Sequence, residues 1–470
     1  MGRLESIRIG LFPCLFPIGL FTSESLSLLS KVPPLPMNLA DPRDGLEWAQ
    51  TVVIESPRWT KEPALEAVQA LAQSNLTKER DVKVTFHSEG AFNKLYIVES
   101  DYGPNLIVRV SSPVDPQYKT LSEVATLEFV HLETSIPVPR VIAFDARPRD
   151  GFQFEWILME RMPGQALQEA WRTLSWDAKI TSVKTVAEYL VDLNKTRFSA
   201  IGNLYQPCQL PASSEDARSE PSSNPSGNKP CVVDRISSFP FFWSYHFEME
   251  VSRGPFTCSR DWLASQLLLH ANDAERMLAA AEDEEQVEEA KTLQVIVQRL
   301  QQHLDPFFPP QEDSLEEYTL HHDDISSQNL LVNQEGHLTA LVDWECVSVV
   351  PVYKTAEWPI FLAGPDSEFE DYPDPNNYAK VDGSLDENDI YQEHVLEYEL
   401  TKLRPIFLEH MSKLSPNWVK INEDERLRRK ADFEYAVQGC ASYMMWPDIQ
   451  EWLDSMENGY YYNLKVLPYD

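Results

Sequence analysis

Two stretches of the chain bring together side chains that chemistry uses. Residues 321–332 read His-His-Asp-Asp-Ile-Ser-Ser-Gln-Asn-Leu-Leu-Val, two imidazoles and two carboxylates ahead of an amide and an apolar strand. A second run, Leu338 to Glu345, ends on Asp343-Trp344-Glu345. Metal binding, phosphoryl transfer and an ordinary polar loop all use such residues. Histidine ligation of a metal fares badly, because adjacent strand residues point to opposite faces and no third ligand stands at metal spacing. Phosphoryl transfer needs an oriented hydroxyl and metal-bound phosphates, with little covalent work from the protein. Asp324 is the group to accept a hydrogen bond from the attacking hydroxyl. Asn329 and Asp343 offer the hard oxygens that Mg²⁺ prefers. That is a kit for a nucleoside triphosphate. The plainer reading stands beside it: Asp and Asn side chains also cap the backbone of ordinary turns.

The flanking sequence must position these groups. Apolar periodicity predicts a helix over Lys61 to Gln73, then strands at 82–86, 95–98, 105–110, 141–145 and 154–159, with a helix over Lys119 to Leu132. This is a five-strand lobe with one principal helix. Beyond it the pattern turns helical: Trp176 to Leu193, Asp261 to His270, Ala274 to Leu304, and most of the chain to about Leu453. A hairpin is expected where Leu330 to Val332 meets Leu338 to Val342 across the Asn333-Gln334-Glu335-Gly336 turn. The fold class is therefore α+β and two-lobed. Residues 1–45 read as an extension, 46–162 as the small lobe and 163–470 as the large one, with a Ser/Pro/Asn/Gly-rich insertion near 207–230 and an acidic, proline-containing loop over 365–389.

Composition narrows the partners. The net charge of −34 repels nucleic acid and anionic membranes. Hydrophobic residues at 43% suffice for two cores. Six scattered cysteines without a CxxC pair fit a reducing compartment and exclude a disulfide framework. The apolar run Ile9 to Phe21 holds two prolines and is shorter than the roughly 18–20 residues of a membrane helix. The expected location is cytoplasmic, with mitochondrial as the alternative, since the first residues mix arginines and serines with few acids.

The runs HHDDISSQNLLV and LTALVDWE resemble the aminoglycoside phosphotransferase and choline kinase family, which shares the protein-kinase-like fold. The resemblance covers roughly residues 86–362. It implies a five-stranded antiparallel N-lobe, a mostly helical C-lobe, ATP with Mg²⁺, and a small-molecule hydroxyl acceptor. His322-Asp323-Asp324 falls on the family's His-Gly-Asp brace, with Asp323 in place of glycine, an extra negative charge beside the base. Asp324 becomes the catalytic residue, and Asn329 and Asp343 the metal ligands. His87 to Val98 falls on the phosphate loop, which implicates Ser88, Gly90 and Ala91, although the GxGxxG pattern is absent. Arg109 stands where kinases carry a lysine, and Glu123 on the next helix is its partner for positioning the phosphates. Glu160 and Met162 fall at the hinge beside the adenine. A fungal branch of the family, which includes an altered-inheritance-of-mitochondria protein, carries arginine at this strand position.

Rival readings accompany several of these residues. Thr120-x-x-Glu123 is also a capping box. Arg109 could lie on an edge strand, Gly90 could serve only a hairpin turn, and Glu345 fits either a metal or a loop cap. Trp262, Trp358 and Trp446 read as core rather than as a substrate platform. The acidic run Glu282 to Glu289 reads as a solvated helix face. The functional alternative to a phosphotransferase is a kinase-like scaffold of weak or no activity that binds nucleotide or a protein partner.

Overall fold

A computed structural model describes residues 43–50, 55–76, 82–100, 104–147, 152–210, 231–364, 366–378 and 390–464. The expectations for residues 1–42, for most of the 207–230 insertion and for 379–389 lie outside these.

The small lobe opens with a hairpin, β1 (Leu46–Gln50) and β2 (Glu55–Trp59), that the periodicity does not reveal. Helix α1 (Leu65–Ser74) begins later than expected. Pro63 disfavours helical backbone in the residue before it, so the helix starts only after Ala64. Strands β3 (Val82–Glu89), β4 (Asn93–Ser100), β5 (Leu106–Ser111), β6 (Val141–Asp145) and β7 (Glu155–Glu160) form one antiparallel sheet in the order β3-β4-β5-β7-β6. Helix α2 (Tyr118–Glu133) lies between β5 and β6 in sequence. Side-chain alternation divides the sheet. Val82, Val84, Leu106, Val108, Val110, Trp156 and Leu158 pack with Val68, Leu71 and Ala72 of α1. The alternate residues Ile157 and Met159 pack on the other face with Val124 and Leu127 of α2. Each such buried side chain contributes about 1.5–3 kcal/mol. The same alternation turns Arg109, between Val108 and Val110, towards α2.

The large lobe begins with the short β8 (Gln165–Ala166) and α3 (Leu167–Ala170), then α4 (Trp176–Leu193), which spans the expected residues and starts on a Ser175 cap. Strands β9 (Asn203–Tyr205) and β10 (Val232–Asp234) pair across the insertion, followed by α5 (Phe239–Phe242). Helices α6 (Ser259–Ala280) and α7 (Glu284–Phe307) place the helix break ten residues later than the expected one at 271–273. Asp283 caps α7 by accepting from the Gln286 N–H, which sets the true boundary. Asp273 is engaged by side chains instead, so α6 runs through it. The Glu282 to Glu289 run forms the exposed or half-exposed start of α7, where acidic residues suit the helix N-terminus.

Strand β11 (Tyr318–His321) pairs with β14 (Ser348–Pro351), and between them lies the hairpin β12 (Leu330–Val332) and β13 (Leu338–Leu341). Strand β8 joins the outer side of β12, tying the interlobe segment to the hairpin. Gly164, at φ +113°, passes so close to β12 that an added Cβ would lie 2.6 Å from the Val332 carbonyl oxygen. Helices α8 (Ile390–Leu414), α9 (Pro416–Glu423), α10 (Glu425–Gly439) and α11 (Trp446–Glu457) complete the helical lobe. The five described cysteines are free. Among the described residues, no helix is long and apolar enough to cross a membrane.

Candidate active site

The loop between β11 and β12 is built on His322, which is 2% exposed. Burial holds its imidazole pKa below the usual value, so the ring is neutral. Its Nε2–H donates to the Val342 carbonyl (3.2 Å), and Nδ1 accepts the Asp324 N–H (3.2 Å). These two bonds fix one tautomer and the direction of the loop. Trp344 packs edge-on against the ring at 4.8 Å. Asn329 Nδ2 donates to the Asp324 carbonyl (3.1 Å) and to Asp324 Oδ2 (2.9 Å). The amide nitrogen is thereby turned to Asp324, which leaves the Asn329 oxygen for another partner. Asp324 Oδ1 is buried with no hydrogen-bond partner among the described residues.

Asp343 follows β13 with φ +67°, left-handed backbone that a non-glycine residue adopts at a cost. The turn is held by Trp344, 1% exposed, whose Nε1–H donates to the Leu341 carbonyl at 2.9 Å. The Asp343 side chain is 42% exposed to the cleft and accepts from Arg109 Nη2 at 3.0 Å. Crowding by the surrounding protein and the neighbouring Glu345 carboxylate push its pKa up.

Arg109 joins the two lobes. Nη1 donates to Glu123 Oε1 (2.7 Å), and Nη2 reaches both Asp343 Oδ1 (3.0 Å) and Glu345 Oε2 (2.9 Å). The guanidinium fork presents separate nitrogens to Glu123 of one lobe and to Asp343 and Glu345 of the other. The edge-strand reading fails, because β5 is central in the sheet and Arg109 is 5% exposed. The capping-box reading of Glu123 also fails. Helix α2 starts at Tyr118, so Thr120 lies within it, and Glu155 Oε1 instead takes the Gln117 N–H at 2.6 Å.

Two residues of this network escape sequence reasoning. Lys119 Nζ donates to Glu345 Oε2 at 2.7 Å, and Asn93 Nδ2 donates to the same oxygen at 2.8 Å. Burial alone would raise the Glu345 pKa; Lys119 and Arg109 overcome it and hold the carboxylate at about 2. Glu345 is thus an ionised interlobe anchor through Oε2. The available signal was spacing, since Lys119 and Glu123 stand at i and i+4 on one helix face. Two cations face the three carboxylates of Glu123, Asp343 and Glu345, so the network keeps a net negative charge.

The remaining expected residues rim the same space. Gly90 closes the β3–β4 hairpin through its N–H to the Asn93 carbonyl (2.9 Å). A Cβ there would meet nothing nearer than 4.0 Å, so the turn itself does not demand glycine. Next to Ala91, Phe92 anchors the loop against Phe239 and Phe242 of α5 at ring distances of 5.5 and 5.7 Å. The Glu160 carboxylate is turned to Arg140 (2.6 Å), which lowers its pKa. Asp323 lies 3.6 Å from Lys354 and 3.4 Å from His321, so its extra charge meets a cation. Trp446 is buried and Trp358 packs on Phe407, in agreement with a core role; Trp262 is buried too, but its indole N–H has no partner among the described residues.

All ten expected residues, from Ser88 and Gly90 through Asp324 to Asp343, line one cleft of 3210 Å³. Among the described residues, no three His, Cys, Asp or Glu side chains converge on a metal-sized point. The donor set is therefore no self-sufficient cage. It matches Mg²⁺, which takes one or two protein oxygens and completes its shell from phosphates and water.

The sequence pattern of the phosphotransferase enzyme family matches residues 83–353. A subtelomeric hrmA-associated cluster protein of Aspergillus fumigatus is 27% identical over 305 residues, 58% of this chain and 59% of that protein. The altered inheritance of mitochondria protein 9, mitochondrial, of Eremothecium gossypii is 26% identical over 344 residues, 66% of this chain and 54% of its own length. The chain thus spans less than two thirds of either relative. An aminoglycoside phosphotransferase crystallised with AMP-PNP and hygromycin B superposes with a TM-score of 0.40 at 16% identity, covering 84% of this chain and 92% of that one.

Proposed function

Since the chain belongs to the phosphotransferase enzyme family, we propose that it moves the γ-phosphoryl group of ATP to a hydroxyl of a small molecule. The observation that carries this reading is the convergence of Asp324, Asn329, Asp343 and Arg109 on one cleft through direct contacts. Asp324 accepts the hydrogen bond of the acceptor hydroxyl and holds it in line, with Oδ2 steadied by Asn329 and Oδ1 unpartnered. Asn329 and Asp343 would hold Mg²⁺, which when bound neutralises charge developing on the phosphates. Arg109, kept in place by Glu123, supplies positive charge on the phosphate side. The backbone around Glu160 and Met162 borders the adenine, and Ser88, Gly90 and Ala91 border the phosphates. His322 acts through Asp324 as a positioning residue.

The scaffold alternative has one observation in its favour. Arg109 is already engaged by three carboxylates, so a nucleotide must compete with Asp343 for its charge. Asp324→Asn separates the two readings. Loss of phosphorylated product with Mg·ATP binding retained supports catalysis; equal product from the variant removes Asp324 as the base. A wild type that binds Mg·ATP but phosphorylates nothing across a broad hydroxyl panel favours the scaffold. The relative named for mitochondrial inheritance favours the mitochondrial over the cytoplasmic compartment, which organelle fractionation of the native protein tests.

A further inference from the structure

Helix α6 carries a polar face that the proposed chemistry does not use. Trp262, Gln266 and His270 follow one another at i, i+4 and i+8, so they share one face over ~12 Å. They are 4%, 1% and 2% exposed, and all three line the cleft that contains Asp324. The Trp262 indole N–H, both polar atoms of the Gln266 amide and His270 Nε2 have no hydrogen-bond partner among the described residues. Buried polar groups ordinarily find partners, so four unmet atoms along one face mark a place where a partner belongs.

The neighbouring polar groups are already engaged. Asp273 Oδ2 receives His270 Nδ1–H at 3.1 Å, which leaves the lone pair of Nε2 as an acceptor. Asp273 Oδ1 receives His246 Nε2–H at 2.7 Å and the Tyr245 hydroxyl. His246 Nδ1 faces the Pro240 carbonyl at 2.8 Å, so both of its ring nitrogens are engaged. Arg276 lies over the Tyr245 ring at 3.8 Å. Among the described residues, the carboxylate beside this face, Asp273, is already engaged, and the Arg276 guanidinium is stacked on Tyr245 rather than turned to the face. The face presents a donor, then a donor with an acceptor, then an acceptor. A hydroxyl, which both donates and accepts, suits each position.

We propose that the Trp262–Gln266–His270 face is a recognition subsite for a neutral, hydroxyl-rich molecule, and that this molecule is the phosphoryl acceptor. The acidic cleft as a whole would favour a polycation, but this face does not. The inference rests on the phosphotransferase reading for the ligand's fate, although not for its binding.

The test is saturation-transfer NMR on the full chain with myo-inositol, D-glucose and D-ribose as neutral probes and kanamycin as a polycationic one. Polyols stabilise proteins non-specifically, so binding rather than melting temperature is read for them. At least one neutral probe gives a saturable signal, and Gln266→Leu weakens its Kd at least tenfold. Trp262→Phe, which keeps a ring in place and removes only the N–H donor, also weakens it. Both variants keep the wild-type thermal shift with Mg·ATP, which shows that they fold. Failure of every neutral probe, equal binding by both variants, or a Gln266-dependent response to kanamycin alone overturns the proposal. Absence of the Mg·ATP shift in wild type removes the phosphotransferase reading instead and leaves the polyol result to be judged separately.

Discussion

Around Arg109 each formal charge meets an opposite one, although Arg109 Nε and Glu123 Oε2 lack hydrogen-bond partners, whereas along α6 four buried polar atoms of uncharged groups have no partner among the described residues. The first wall joins β4, β5, α2 and the turn after β13 through Asn93, Arg109, Lys119, Glu123 and Glu345. The second is a single helix face with Trp262, Gln266 and His270. A network whose charges are paired without ligand holds its geometry in advance, and a preorganised site loses little on binding. An unsatisfied face costs stability until a partner arrives, and it discriminates strongly between partners that do and do not complete it. On the proposed function, the first wall serves the phosphates and the second serves acceptor choice.

The largest effect belongs to the loop between β11 and β12, which lines the same cleft as both walls. Asp324→Asn should lower kcat by about 10²–10⁴-fold, the range for loss of a general base. Its thermal shift with Mg·ATP should match wild type, since Asn329 and Asp343 are untouched. Product formation by mass spectrometry checks the first claim and differential scanning fluorimetry the second. A tenfold loss or less would mean that the base lies elsewhere on the cleft.

Next comes Lys119→Met. It leaves Glu345, 14% exposed, without its first ion-pair partner. Breaking a buried ion pair costs about 3–5 kcal/mol. Urea unfolding at pH 7 should show that loss, with Lys119→Arg recovering more than half. Apparent KM for Mg·ATP should rise more than kcat falls, because Glu345 and Arg109 share the strained turn at Asp343. A loss under about 1 kcal/mol would show that the Arg109 wall is not one unit.

Much of this wall was legible from residue order, and for local reasons. Asp324, Asn329 and Asp343 sit on a loop and a hairpin of short sequence separation, and Arg109 and Glu123 on consecutive elements. Lys119 and Asn93 were not legible. Their partner, Glu345, lies more than two hundred residues away, and no periodicity records a contact closed by tertiary folding. The β1–β2 hairpin and the β11–β14 pairing were missed likewise, because a few residues of strand carry too little alternation. The α6–α7 break was misplaced because the true boundary is set by the Asp283 cap, whereas Asp273 is a half-buried hydrogen-bond hub within α6. The α6 face was invisible for a related reason. Trp262, Gln266 and His270 fit any amphipathic helix until their atoms are found unpartnered.

A smaller effect is carried by pH. Burial pushes the Glu155 pKa up to about 7 beneath the start of α2. A raised carboxyl pKa contributes stability that is fully present below the unfolded value near ~4.3 and is lost as pH rises towards 7. Glu345 has the opposite sign: its contribution is present above ~4.3 and lost as pH falls towards about 2. Stability should therefore decline from about pH 5 to 7 with a slope of up to ~1.4 kcal/mol per pH unit from Glu155. Glu155→Gln should flatten that limb and leave the acid limb unchanged. A slope that persists in the variant would mean that Glu155 is ionised in the folded state.

The smallest expected change is the sharpest test of the contrast between the walls. Replacing a hydrogen-bonded polar group destabilises, but replacing an unpartnered buried one with an apolar side chain of similar size removes a penalty. Gln266→Leu should therefore leave ligand-free stability unchanged or raise it by about 1 kcal/mol in urea at pH 7. The matching swap on the other wall, Asn93→Leu, removes bonds to Glu345, Ser111 and Lys119 and should cost about 1–3 kcal/mol. Opposite signs for two amide-to-leucine swaps would show that the Asn93 amide is satisfied without ligand and the Gln266 amide is not. If Gln266→Leu destabilises as much as Asn93→Leu, the α6 amide already has its partner within the folded chain, and acceptor choice must be sought along another face of the cleft.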